Sequence, residues 1–380
     1  MNIAIFDYKV IPNNPTGGCN LRMLKGISRD HKVTVFSVEF ENPDPDRIYW
    51  VRIPSPTRPL VLLFAVYFLL APLYYWVHCL RTKVHFDSVL IVESNLSFGD
   101  ISYAHFCHRA YLKKHWGKTG SSGLRRGLRW IFHKFQASVE PWSFHHVQHI
   151  VVPSQGLARE LEQEYPYSKD KIHVFPNPVD TQRMRPPEPH EREHFRQKFG
   201  MCSEDLVLVF VALGDFERKG LPLILEALAS LNLPQIKLFI VGGEDDLVST
   251  YQSRVKKMGL EEKVIFTGMQ KDVRPYLWAA DVFILPSSYE VFPLVVLEAA
   301  AARLLLVVTA LNGVEEFLRD GENGILVERT SMGIAQGIRK VLTMSPTERQ
   351  RMQKSVVDDV QSYSSENFVT VWSKFFEGGF

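Results

Sequence analysis

Asp281-Val282-Phe283-Ile284-Leu285-Pro286-Ser287-Ser288-Tyr289-Glu290-Val291-Phe292-Pro293-Leu294-Val295-Val296-Leu297-Glu298-Ala299-Ala300 is the stretch on which the reading of the chain turns. Its first part is a short apolar run closed by Pro286 and Ser287, the pattern of a buried parallel strand that ends in a loop. Glu290 therefore stands past a strand's carboxyl end. Pro293 suits the first helical position and Leu294 to Ala302 consists of good helix formers, so Glu298 falls on the helix that follows. A helix that starts at the carboxyl edge of a parallel sheet offers unbonded N–H groups and a positive dipole end to a phosphate. The two carboxylates, Glu290 and Glu298, can accept hydrogen bonds from sugar hydroxyls. The helix start, from Phe292 through Leu294 and Val295, is the candidate phosphate cradle.

Upstream, Leu206 to Leu213 is a continuous apolar strand, and Gly214-Asp215-Phe216-Glu217-Arg218-Lys219-Gly220 leads into a helix from Leu221 to Ser230. Two cations on a loop that feeds a helix can neutralise a diphosphate. Lys237 to Val241, closed by Gly242 and Gly243, reads as the next strand and tight turn, followed by a helix from Leu247 to Met258 and an extended run from Lys263 to Thr267. A strand from Leu304 to Thr309 comes after the Glu298 helix.

The N-terminal part repeats the pattern more loosely. Ile3 to Phe6 reads as a strand, Pro12 to Gly18 as a turn-rich loop, Asn20 to Arg29 as a helix and Lys32 to Val38 as a second strand. This is a Rossmann-like unit without the G-x-G-x-x-G spacing. Gly17 and Gly18 are candidates for close backbone approach to an anion, or plain turn residues. Ile101 to His108 reads as a strand whose end carries His105, with His108 in reserve. Neither histidine belongs to a metal motif.

At 380 residues the chain exceeds a usual single-domain core, and the proline-rich run from Pro176 to Pro189 marks a boundary. A hydrophobic content of 46% and a charged content of 23% fit a globular protein, and a formal net charge of +2, unevenly spread, does not indicate a general nucleic-acid binder. Cys19, Cys79, Cys107 and Cys202 are scattered, which points to a reducing compartment. Met1 leads straight into a strand with no basic n-region, so no secretory signal is expected.

Leu60 to Leu80 is uncharged and long enough to cross a membrane. A crossing there would separate the first strand from Asp87 to Val92, which should share its sheet, so a spanning role is rejected. A buried or groove-lining helix and an interfacial helix both remain open. From Asp100 to Glu140 no acidic residue intervenes, while Arg109, Lys113, Lys114, Lys118, Arg125, Arg126, Arg129 and Lys134 alternate with Trp116, Leu124, Leu128, Trp130, Ile131 and Phe132. This mixture favours an anionic membrane surface or a pyrophosphate-bearing acceptor over single-stranded nucleic acid.

The E-x7-E pair in its strand, Pro-Ser and helix setting resembles the signature of the retaining glycosyltransferases of family 4. The order of the other motifs agrees: Arg218-Lys219-Gly220 upstream, Gly268-Met269 with Lys271-Asp272-Val273, and Asn312-Gly313-Val314-Glu315-Glu316 downstream. The resemblance implies the GT-B architecture, an α/β fold of two Rossmann-like domains facing a central cleft. An acceptor domain would take residues 1–178 plus a C-terminal helix in 363–380, and a donor domain residues 179–362. It further implies that Glu290 and His105 face the transferred sugar, that Glu298 binds the ribose, that Arg218 and Lys219 neutralise the diphosphate, that Gly17 and Gly18 approach the donor phosphates, and that Lys271 and its neighbours, with Gly243, line the nucleotide. Three departures stand out. Leu213-Gly214 replaces a Gly-Arg pair, Pro178 replaces Gly in the linker, and Arg303 and Leu305 replace a Gly and a Pro.

The expected activity is metal-independent transfer, with retention, from a UDP- or GDP-linked sugar to a glycan or lipid-linked acceptor, in bacterial cell-surface polysaccharide or glycolipid synthesis. No cofactor is expected. The expected location is the cytoplasmic face of the plasma (inner) membrane. A sugar-nucleotide epimerase or phosphorylase on the same fold, and a non-catalytic nucleotide- or glycan-binding subunit, are the rival readings.

Overall fold

The structure, a computed structural model, describes residues 1–12, 14–57, 59–94, 96–118 and 123–378. The chain divides into two compact units. One comprises Met1–Gly117, residues 123–178 and Ser365–Phe380, and the other Val179–Ser364.

In the first unit the strands are β1 (Asn2–Phe6), β2 (Lys9–Val10), β3 (Lys32–Ser37), β4 (Glu39–Phe40), β5 (Ile48–Arg52), β6 (Ser88–Val92), β7 (Ile101–Tyr103), β8 (His149–Val152) and β9 (Ile172–Val174). The helices are α1 (Pro15–Ile27), α2 (Leu60–Thr82), α3 (His108–Lys114), α4 (Gly123–His146) and α5 (Gln155–Glu164). Seven strands form one sheet in the order β5-β3-β1-β6-β7-β8-β9, and β2 and β4 pair separately. Every pairing is parallel, and the apolar runs of β1 and β6 are buried almost throughout, as a sheet covered on both faces requires.

Pairing of β1 with β6, Ile3 opposite Ser88 and Phe6 opposite Ile91, places the segments before and after α2 in one sheet. Among the described residues α2 is the one helix long and apolar enough to cross a membrane. One face of it, Leu63, Phe64, Tyr67 and Ala71, is buried, and the Tyr67 hydroxyl donates to the Phe36 carbonyl at 2.7 Å.

The second unit contains β10 (Leu206–Val211), β11 (Ile236–Val241), β12 (Val264–Gly268), β13 (Val282–Leu285), β14 (Leu305–Val308) and β15 (Ile325–Leu326), in the sheet order β12-β11-β10-β13-β14-β15. Its helices are α6 (Pro189–Lys198), α7 (Leu221–Leu231), α8 (Asp245–Lys257), α9 (Arg274–Ala279), α10 (Leu294–Ala301), α11 (Ser331–Thr343) and α12 (Pro346–Val360). The last helix, α13 (Ser365–Phe376), belongs to the first unit, where Phe368, Trp372, Phe375 and Phe376 are buried with Met23, Leu24, Ile27 and Phe175.

Both sheets are doubly wound, and in each the strand order reverses at one point. That point lies between β1 and β6 in the first unit and between β10 and β13 in the second. Helices leave the two neighbouring strands in opposite directions there, which opens a crevice at the carboxyl ends where ligands bind in this class of sheet.

Several expected boundaries move. Helix α1 begins at Pro15, so Gly17 and Gly18 lie in its first turns and not in a preceding loop. The helix can start early because Pro15 presets the backbone angle and no N–H is lost there. Strand β7 ends at Tyr103, which leaves His105 two residues beyond it and puts His108 at the start of α3. Pro293 is the residue capping α10 (φ −77°, ψ 93°) and Leu294 is the first helical one. The expected helix at Leu294 to Ala302 loses its last residue to the cap.

Candidate active site

At the reversal point of the second unit, the loop after β10 meets the loop after β13. Gly220 enables the approach. Its φ is +84°, and a Cβ there would collide with the Pro286 carbonyl. Ser288 N donates to the Arg218 carbonyl at 2.9 Å, which stitches the two loops together.

Glu290 sits in this junction with three partners on one oxygen. Its Oε1 accepts from Lys219 Nζ at 2.8 Å, Arg218 Nη1 at 3.0 Å and Ser287 Oγ at 2.9 Å. Arg218 also donates to the Tyr289 carbonyl and, through Nε, to Asp215 Oδ2 at 3.0 Å. Burial alone would raise the Glu290 pKa. The charges of Lys219 and Arg218, with the hydrogen bonds from Lys219 and Ser287, outweigh burial and hold the carboxyl below its ordinary value. Two cations and an ionised carboxylate are thus held by one another and by Asp215 and Ser287.

A residue that sequence reasoning missed supports them. Arg329, past β15, donates from Nε to the Pro286 carbonyl (3.1 Å) and from Nη2 to the Glu217 carbonyl (3.1 Å), so it ties both loops from outside. Beside it a cavity of about 610 Å³ is lined by Ser287, Ser288, Thr309, Ala310, Leu326, Val327, Glu328 and Arg329. Sequence spacing offered no signal for Arg329, because its partners are backbone carbonyls far along the chain.

Glu298 is half-buried on α10, just over one turn after its start at Leu294. Leu294 and Val295 form the first turn, whose N–H groups have no acceptor within the helix. Phe292 is buried just before it and packs toward Tyr363, with ring centroids 6.1 Å apart. Gly243 follows β11 with φ +93°, and Lys271 is exposed in the loop after β12, beside Asp272, which is held by Arg274 at 2.6 Å. All these positions lie on loops at the carboxyl ends of their strands, or on α10, which follows one.

The first unit has a second polar group at its own reversal point. Asp7 follows β1, Glu93 follows β6 and His105 lies beyond β7, so three neighbouring strands present them in a row. Glu93 Oε2 accepts from the His105 backbone N–H at 3.1 Å, and Asp7 Oδ2 accepts from Asn20 Nδ2 at 2.8 Å. Burial raises the Asp7 pKa to about 7 and the Glu93 pKa to about 8, the latter with a further contribution from the neighbouring negative charges of Asp7 and Glu140. Burial lowers His105 to about 3, so its ring is neutral at physiological pH. Among the described residues, His105 Nε2 and Asn20 Oδ1 are buried atoms with no hydrogen-bond partner. Glu93 moreover holds φ +58°, an uncommon conformation for a residue with a Cβ and one that gathers at functional sites.

Gly17 and Gly18 lie on α1, the helix whose Asn20 reaches Asp7. A Cβ on Gly17 would stand 2.7 Å from the Ile11 carbonyl, so only glycine lets α1 start against that loop. Asp7 and Glu93 were missed, although each is an acid directly after a buried strand. That was the available signal.

His108 does not join this row. Its Nδ1 lies 2.8 Å from His133 Nδ1 on α4, and its N–H, with that of Arg109, donates to Glu140, which also accepts from the Tyr165 hydroxyl at 2.6 Å. His108 is therefore part of a buried network that fastens α3 to α4 and α5. Among the described residues no group of three or more His, Cys, Asp or Glu side chains is placed to hold a metal ion.

Comparison with known proteins agrees with this geometry. The family profile described as "Glycosyltransferase Family 4" matches residues 21–183 and that described as "Glycosyl transferases group 1" matches residues 191–356, so together they take in most of the chain. An uncharacterized glycosyltransferase of Methanocaldococcus jannaschii is 24% identical over 97% of this chain and 95% of its own length. The putative glycosyltransferase EpsD of Bacillus subtilis is 35% identical, but the match spans only 42% of this chain and 41% of EpsD. The lipopolysaccharide glucosyltransferase WaaG of Escherichia coli is 29% identical over 49% of this chain and 51% of its own. Among solved structures, WaaG superposes with a TM-score of 0.78 at 20% identity over 99% of this chain and 100% of WaaG. Anabaena HepE, in complex with UDP and glucose, superposes at 0.76 and 17% identity over 100% of both chains. At such identities the superpositions establish the fold, which is GT-B. With both halves matched in order and the E-x7-E stretch at the reversal point of the second sheet, the chain belongs to the group 1 glycosyltransferases of family 4.

Proposed function

We propose that this protein is a retaining glycosyltransferase that moves a sugar from a UDP- or GDP-linked donor to a glycan or lipid-linked acceptor in bacterial cell-surface polysaccharide or glycolipid synthesis. The observation that carries the reading is Glu290 held ionised between Lys219 and Arg218 beside the start of α10. Relatives named for lipopolysaccharide synthesis, WaaG and the Rhizobium LpsE, support the pathway class, and the HepE complexes with UDP and UDP-glucose support a nucleotide-sugar donor.

Transfer breaks the bond between the anomeric carbon and the diphosphate and forms one to the acceptor oxygen. The leaving diphosphate gains negative charge. Lys219, Arg218 and the first-turn N–H groups of Leu294 and Val295 are the groups that stabilise it, without the reorganisation that water would need. Asp215 and Glu290 balance the two cations in the free chain and keep them in register. Glu290 accepts from sugar hydroxyls as positive charge develops on the ring, and Glu298 accepts from the ribose. On the first unit, neutral His105 offers one donor and one acceptor to a hydroxyl. The acceptor's proton leaves with the departing phosphate oxygen. In this reading two fixed cations take the place of a divalent ion, so no metal or other cofactor is required.

The protein acts at the cytoplasmic face of the plasma (inner) membrane as a peripheral enzyme, a reading supported by the basic, aromatic character of α4 and the apolar length of α2. Calorimetric titration with UDP, GDP and ADP, repeated on Glu298→Ala, tests the donor site. Micromolar binding of one nucleotide, lost in the variant, is the expected result, whereas binding of none would remove the basis for the transferase reading.

A further inference from the structure

Helix α2 presents a second face that the fold does not use. Leu62, Leu69, Leu73, Trp76 and Leu80 are all exposed, with Leu69 at 72%, Trp76 at 64% and Leu80 at 77%. Their spacing of seven, four, three and four residues places them within about 60° of one another at 3.6 residues per turn, in a stripe about 27 Å long. The buried residues Leu63, Phe64, Tyr67 and Ala71 occupy the other side. A soluble helix with this arrangement would carry polar residues outward, but no charged side chain occurs between Leu60 and Leu80.

The surroundings are cationic. Arg81 and Lys83 are exposed at the end of α2. Helix α4 packs against the inner side of α2 through Phe64 and Phe132, whose ring centroids are 5.1 Å apart, and has its own exposed face of Leu128, Trp130, Ile131 and Trp142 together with Arg126 and Lys134. Lys134 lies over the Trp130 ring at 5.4 Å. Exposed aromatics and aliphatics interleaved with cations match the boundary between acyl chains and anionic headgroups.

We propose that α2 lies in the plane of an anionic membrane and inserts the stripe Leu62, Leu69, Leu73, Trp76 and Leu80 into one leaflet, with Arg81 and Lys83 at headgroup level. The inference rests on the peripheral-membrane reading above and deepens it by naming the surface and its mode of contact. Spanning is excluded by the inner face of α2, which is fastened to β3 through Tyr67, and by the pairing of β5 with β3 and β6 with β1 on either side of it. A second copy of the chain fits less well, because a stripe of five side chains is far smaller than the about 20–30 residues a side that a stable interface presents.

The test uses the full chain with vesicles of phosphatidylcholine alone and of phosphatidylcholine with phosphatidylglycerol. Leu69→Gln/Leu73→Gln removes the stripe at exposed positions, Arg81→Gln/Lys83→Gln removes charge, and Trp76→Phe reports insertion through quenching by brominated acyl chains. Nucleotide binding confirms that each variant is folded. The expected result is binding to the anionic vesicles, weakened about 100-fold in the double leucine variant, with a quenched emission component that disappears in Trp76→Phe. Unchanged vesicle binding by the leucine variant, with loss only in the charge variant, would overturn the insertion of α2 and leave the peripheral reading standing. No binding by the unaltered chain to either vesicle would overturn both. A dimer in sedimentation equilibrium that the leucine substitutions dissociate would assign the stripe to a second copy instead.

Discussion

Lys219 Nζ and Glu290 Oε1 lie 2.8 Å apart across 71 residues of sequence, joining the loops that follow two adjacent strands of the second sheet. The ion pair is largely removed from water, with side-chain exposures of 15% and 13%. Lys219→Ala should lower kcat by about 100-fold, the effect of removing one preorganised charge from a leaving group. Burial then acts on Glu290 with one cation fewer, so its pKa rises and the acid limb of the pH–rate profile moves to higher pH. A variant with unchanged kcat and profile would separate Lys219 from the chemistry.

Glu298 stands on α10, half-buried, just over one turn after the helix start. Glu298→Ala should weaken nucleotide binding by about 10- to 100-fold, the range for losing hydrogen bonds to a charged acceptor. Free UDP and UDP-sugar should be affected alike if the ribose is its partner, which calorimetry with both ligands reads directly.

The buried acids and histidines of the first unit predict how stability follows pH. Asp7, Glu93 and Glu140 have pKa values raised to about 7, 8 and 7 in the folded chain, chiefly by burial. They therefore add stability that is fully present below the ordinary carboxyl pKa and is lost as pH rises through 7 to 8. His105 and His133, lowered to about 3 and 4, act in the other sense, since the unfolded chain takes up their protons first as pH falls below about 6.5. Between pH 6.5 and 8 the carboxyls dominate. Tm should fall across that window, and Glu93→Gln, which keeps the shape of a protonated acid, should reduce the slope. A Tm that stays level or rises over this interval in both proteins would contradict the assignment.

Arg303 stands where the family pattern has glycine, and it holds φ +68° directly after the cap of α10. A side chain in this region costs on the order of 1 kcal/mol. Arg303→Gly should raise Tm by about 2 °C in thermal unfolding of the intact protein. The neighbouring departure has the opposite sense. Leu305 N donates to the Asp281 carbonyl at 3.1 Å, so Leu305→Pro removes a bond at the start of β14 and should lower Tm.

Much of the second unit could be read from residue order alone. Apolar runs such as Leu206 to Leu213 and Asp281 to Leu285 specify buried parallel strands, because only a sheet covered on both faces removes every side chain from water. Glu290, Glu298, Arg218 and Lys219 were legible through their places after such strands. The start of α1 was not, since Gly17 opposes a helix by propensity and is required by its contact with the Ile11 carbonyl, a matter of tertiary approach.

Residue order is enough for the two-part α/β architecture, the family and the residues of the second unit's polar loops, because period, punctuation and order are local properties of the chain. Long-range packing settles that Glu93 and Asp7 share an edge with His105, that His108 pairs with His133, that Arg329 ties two loops, and which face of α2 meets solvent. Each of these depends on which strands become neighbours and which helix face the sheet covers, and those choices are made by packing over separations that no local pattern encodes.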